Sequence, residues 1–177
     1  MESGMMIIAA VLFAVVLIPT LLIFQNTKKR SRALLEGLKT LVSKNNGTLT
    51  LHIEQTNFAL GIDEIAKKFY FFKKTEEGEI LKEIDLNSVT SCEISSKIKR
   101  IKKDKGHDEL VEKITLLFVS KKNNETEQIE LYNEEDTLLT DELAIAEDWK
   151  KIIQDLLSNT KKVSEGEKKP QVLVSMS

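Results

Sequence analysis

Residues 5–24, MMIIAAVLFAVVLIPTLLIF, hold no charged side chain and are interrupted only by Pro19 and Thr20. At about 1.5 Å rise per residue, a helix of this length spans roughly 30 Å, the thickness of a bilayer's hydrocarbon core. A helix on the surface of a soluble core shows a polar face, and this run shows none. A cleaved signal peptide carries basic residues ahead of its apolar run and small residues at its end. Here Glu2 is the only charged side chain ahead, and the run closes on Leu22, Ile23 and Phe24. The expectation is a retained transmembrane anchor over residues 1–27. Lys28, Lys29, Arg30 and Arg32 follow it, and nothing basic precedes it. By the positive-inside rule the chain crosses the inner membrane once, with its N-terminus outside and the remainder in the cytoplasm.

Residues 28–46 then predict a juxtamembrane helix. Leu34, Leu35, Leu38, Leu41 and Val42 recur at helical spacing, and Asn45-Asn46-Gly47 supplies a residue able to adopt the left-handed conformation of a C-cap. From Gly47 the apolar period changes to two. Leu49, Leu51 and Ile53 alternate with polar residues, as do Phe58, Leu60 and Ile62. Phe69-Tyr70-Phe71-Phe72 is an aromatic strand on propensity. Further strands are expected over 80–86, 89–98, 110–120 and 127–132. Cys92, Ile94, Ser96 and Ile98 share one face of their strand, and Ile114, Leu116 and Phe118 one face of the next. About seven strands joined by short polar turns predict an antiparallel meander. Helical spacing returns at Ala146, Trp149, Ile152, Ile153, Leu156 and Leu157, after Thr140 as a candidate cap and Asp141 and Glu142 in the first turn. Such a helix needs a surface to cover, and Trp149 is the natural plug for a curled sheet. Residues 159–177 are polar and charged and read as a disordered tail. The short run 171–175 within it is β-prone.

This order of elements resembles the pleckstrin-homology-like barrel, seven antiparallel strands closed by one C-terminal helix. Ile129-Glu130-Leu131-Tyr132, the acidic loop after it, Asp141-Glu142-Leu143 and Ala146-Glu147-Asp148-Trp149 carry the likeness. The chain is also similar to small single-pass bacterial membrane proteins of unassigned function. There the matching residues are Gly61-Ile62-Asp63-Glu64, the aromatic strand, and Ile84-Asp85-Leu86 through Cys92-Glu93-Ile94. The resemblance implies an α+β chain in which residues 47–158 form a domain like that barrel, a binding or scaffolding module beside the membrane. It does not imply phosphoinositide binding, because one fold hosts many functions.

Little in the chain points to catalysis. His52 and His107 have no second histidine or cysteine at metal-ligand spacing. Cys92 falls on an apolar strand face, as a small core residue does, and being the only cysteine it allows no intrachain disulfide. No Walker loop, GxGxxG or GxSxG is present. No catalytic residue, cofactor or metal is therefore expected. A net charge of −2 disfavours a dedicated nucleic-acid binder. One segment stands out. Lys97, Lys99, Arg100, Lys102, Lys103 and Lys105 put six cations into nine residues, offset by Asp104 alone. Glu125, Glu127, Glu130, Glu134, Glu135, Asp136, Asp141 and Glu142 are the acidic counterpart. The basic segment reads either as a contact for anionic lipid headgroups or an acidic protein partner, or as a solvated hairpin loop ending at Gly106. The leading expectation is a non-catalytic membrane-tethered module. An accessory subunit of a larger membrane complex is the alternative, and an enzyme with an unrecognised site the third.

Overall fold

The computed structural model describes residues 2–166 apart from 76, 104–105 and 123–124; for residues 2–11, 14, 19–28, 102–103, 106–108 and 160–166 the description covers the backbone alone. The elements are α1 (Glu2–Lys44), β1 (Leu51–Glu54), β2 (Phe58–Asp63), β3 (Lys68–Lys74), β4 (Glu79–Asp85), a 3-10 turn (Leu86–Ser88), β5 (Val89–Lys103), β6 (Gly106–Ser120), β7 (Thr126–Asn133) and α2 (Glu142–Gly166). The chain is α+β, with seven antiparallel strands among the described residues. They form a four-stranded sheet, β1-β2-β3-β4, and a three-stranded sheet, β5-β6-β7, and no closed barrel is found. The break has a local cause. The Asp85 carboxylate accepts the Asn87 amide at 2.9 Å, and the Ser88 hydroxyl donates to the Asp85 carbonyl at 2.7 Å. These bonds wind one tight turn and end the ladder after β4. The chain divides into two compact units, Met1–Glu83 and Ile84–Ser177.

In the first unit α1 is one helix from Glu2 to Lys44, with no break between residues 25 and 27. Among the described residues, no helix is long and apolar enough to cross a membrane. The side chains of most of the apolar run lie outside that description. The last turns of α1 are not a spacer. Leu34, Leu38 and Val42 are buried against Ala59, Tyr70 and Phe72, with Leu41 and Leu49 at the margin. The domain boundary expected at residue 47 therefore falls inside this unit. Two glycines let helix and sheet approach. A Cβ at Gly37 would stand 2.4 Å from the Phe72 ring, and one at Gly61 would stand 2.4 Å from Leu49 Cδ1 and 3.1 Å from Leu38 Cδ2. The helix ends as expected. Asn46 takes φ +53°, and the Gly47 amide donates to the Val42 carbonyl at 3.0 Å.

The helix also explains a departure from the expected alternation. All six residues of β2 are buried, as are five of the seven in β3. Phe58, Leu60 and Ile62 make one apolar face, and α1 lies over the other. In the second unit α2 packs on β5, β6, β7 and the 3-10 turn. Ile145, Ala146, Trp149, Ile153 and Leu157 are its buried stripe, with Trp149 only 4% exposed. The helix starts one residue later than a Thr140 cap would place it, because the Asp141 carbonyl accepts its first hydrogen bond, from the Ile145 amide at 3.0 Å. It also runs past the expected end near Asn159, through Gly166. Residues 171–175 lie outside the described residues.

Candidate functional site

The basic segment is strand rather than loop. β5 and β6 are each 15 residues long, and their pairing continues to Lys103 opposite Gly106. β7 pairs with β6 only from Lys113 to Val119. Beyond that the two strands stand as a ribbon of six residue pairs, Ile98–Val111 to Lys103–Gly106, about 20 Å long at 3.3 Å per residue. Charged pairs lie along it and at its root. Arg100 Nε lies 3.1 Å from Glu109, its direct opposite. Lys97 pairs with Glu112, and Lys99 Nζ lies 3.4 Å from Glu134. Glu112 is the extra residue of a bulge between Lys97–Lys113 and Ile98–Val111. Its hydrogen bond from Lys97 holds its carboxyl below the ordinary range. Lys113 is drawn the other way, to Glu130 at 2.6 Å, and that hydrogen bond raises its pKa.

The acidic counterpart read from the sequence is thus in part the basic segment's own partner. Lys97, Lys99 and Arg100 sit together at the root of the ribbon. Lys102 and Lys103 continue β5, with side chains outside the description, and Lys105 lies outside the described residues altogether. Lys29, Arg30 and Arg32 are exposed on α1, and Lys28 is described by its backbone alone. His52 is exposed, 3.9 Å from Glu54. Cys92 is buried, and desolvation pushes its thiol up to about 12, far from a reactive thiolate. Among the described residues no group of His, Cys, Asp and Glu could hold a metal ion. The second unit has a cleft of about 360 Å³ whose lining includes Ser88, Ser120, Thr126, Glu125 and Glu127. It brings hydroxyls and carboxylates together without a cationic side chain.

The sequence reading missed a polar clamp in the first unit. Asp63 is 2% exposed at the end of β2. Its carboxylate accepts the amides of Thr48 at 2.6 Å, Ile65 at 3.0 Å and Ala66 at 2.8 Å. Burial pushes this carboxyl up, but the Ala66, Thr48 and Ile65 amides and the Lys68 charge outweigh it, so the pKa lies below the ordinary value of 3.8. Beside it Lys68 Nζ meets Glu83 at 2.5 Å, and Asn45 donates to the other oxygen of Glu83. The clamp ties the α1–β1 connection to the β2–β3 turn. The available signal was an acidic residue at a strand end, four residues before the left-handed Lys67. A depressed folded-state pKa contributes stability above the unfolded value and loses it as pH falls through the folded one. Asp63→Asn is expected to cost about 1.5–3 kcal/mol at neutral pH, as loss of hydrogen bonds to a charged group does. Its stability should also fall less steeply than the wild type's below about pH 4, where the wild-type carboxylate protonates. Thermal melts of both proteins from pH 2 to 7 check this, and parallel curves would contradict the assignment. Comparison with protein-family models, with curated proteins and with solved structures finds no match to this chain.

Proposed function

We propose that the protein is a non-catalytic, membrane-tethered binding or scaffolding module. In this reading α1 crosses the inner membrane once, with its N-terminus outside, and a pleckstrin-homology-like domain works in the cytoplasm. One observation carries it. Leu12, Phe13, Val15, Val16, Leu17 and Ile18 are all between 51 and 69% exposed. At 3.6 residues per turn these six point around the whole circumference of the helix. A contiguous apolar surface of this kind belongs in lipid or under a partner. The exposed Lys29, Arg30 and Arg32 follow at headgroup level, each adding about 1 kcal/mol of attraction to an anionic leaflet. A four-stranded meander, a three-stranded meander and a terminal helix, in that order, support the likeness of fold. Asp63, Lys68 and the pairs across β5 and β6 are engaged in internal contacts, which favours binding over catalysis. Reporters fused after Ser177 test the topology. One active only in the cytoplasm should give signal, and one active only outside should stay silent; the reverse result overturns the reading.

A further inference from the structure

We propose that the outer edge of β5 between Lys97 and Ile101 is a strand-addition site for an extended, acidic segment of a partner protein. The proposal rests on the binding-module reading and names the surface and the chemistry of its partner. Among the described residues β5 is the edge of its sheet, paired with β6 alone. Near Cys92 that strand is covered by α2, since Gln154 Nε2 donates to the Cys92 carbonyl at 3.3 Å and Lys150 meets Glu93 at 2.6 Å. Past Ser96, no described strand pairs with the outer edge. Folded proteins ordinarily keep such edges short or covered, because unpaired backbone groups are a template for another strand. This one runs to 15 residues.

The side chains decide which strand fits. Ile98 is 52% exposed and lies opposite Val111 on one face of the ribbon. Ile101 and Leu110, 41 and 40% exposed, lie diagonally on the other face, where Leu110 opposes Lys99. An added strand therefore meets an apolar neighbour on each face, within the reach of cross-strand pairs. Between them Lys97, Lys99 and Arg100 keep side-chain exposures of 66, 58 and 75% despite their internal partners. A lysine has three donors and an arginine five, so one carboxylate each leaves donors for another. A second copy of the chain adding through β5 would set lysine against lysine, which destabilises a pair. Carboxylates alternating with apolar residues are the complement. A flat anionic bilayer would answer the charge but would leave the backbone edge unused.

The test uses the full-length protein in detergent micelles and a fluorescent peptide about ten residues long, alternating Glu with Val, long enough to span the exposed edge. Anisotropy should show saturable binding that weakens about tenfold or more as salt rises. The same peptide N-methylated on alternate amides should bind about tenfold more weakly or not at all, because strand addition uses those N–H groups. A Lys–Val peptide should not bind. Lys97→Gln/Lys99→Gln/Arg100→Gln should lose the Glu–Val peptide with little change in melting, since exposed charges contribute little to folding. Should that variant melt lower, the N-methyl comparison on the wild type still decides. Equal binding of the N-methylated or the Lys–Val peptide, or no saturable binding of the Glu–Val peptide, overturns the proposal. Protection of the amides of residues 97–101 by phosphatidylglycerol vesicles but not by the peptide overturns it in favour of a lipid contact. A partner cross-linked from native membranes that the triple Gln variant retains would leave the module reading standing and remove strand addition.

Discussion

A chain that begins at Gly47 is expected to lose its four-stranded sheet. It keeps every strand, yet it lacks Leu34, Leu38 and Val42, which are 0, 0 and 3% exposed in the full protein. Burying such side chains contributes about 1.5–3 kcal/mol each, so the three together supply about 5–9 kcal/mol. A domain's whole stability is about 5–15 kcal/mol, so the deletion takes most of it. It also uncovers Ala59, Tyr70 and Phe72, and it removes the Asn45 contact to Glu83. The chain beginning at Gly47 should aggregate or exchange its β2 and β3 amides freely, whereas one beginning at Lys28 should fold. Size-exclusion chromatography and circular dichroism of the two compare them directly. Equal, cooperative melting of both would show that α1 is only a tether.

Trp149→Ala should cost about 3–5 kcal/mol, the range for truncating a buried aromatic. Trp149 is 4% exposed at the centre of the α2 stripe, between Ile145 and Ala146 on one side and Ile153 on the other. Because α2 covers β5 and β6, the loss falls on the three-stranded sheet. Tryptophan fluorescence cannot follow the variant, so the check is a thermal melt by circular dichroism. The expected midpoint is lower by many degrees, and an unchanged midpoint would mean that α2 does not hold this sheet.

Much of this architecture is legible in the residues. The apolar run, the left-handed cap at Asn46, the order of the seven strands and the Trp149 stripe each follow from local period or turn chemistry. The sequence is blind where one local pattern serves two packings. Leu34, Leu38 and Val42 make the same stripe whether they face a sheet or another helix, so nothing local assigns them to the core of the first unit. Likewise Phe58, Leu60 and Ile62 predict one buried face of β2. The burial of Ala59 and Gly61 on the other face depends on α1, far off in sequence. The basic segment misleads for a different reason. Lys97 to Lys103 has the charge density of a loop, yet it is strand, and Glu112, Glu134 and Glu109 from other segments meet Lys97, Lys99 and Arg100. The acidic residues at 109 and 112, as far after position 104–105 as Arg100 and Lys97 lie before it, were the readable sign.

If α1 is at once the membrane anchor and part of the domain's core, the domain is held to the bilayer by a rigid helix. About ten residues, or 15 Å at 1.5 Å per residue, separate the end of the apolar run from Leu34. Hydrogen exchange on the full-length protein in lipid bilayers tests this most directly. The account predicts that the amides of residues 34–42 exchange as slowly as those of β2 and β3, in one cooperative unit. Fast exchange of residues 34–42 beside a protected sheet would contradict it.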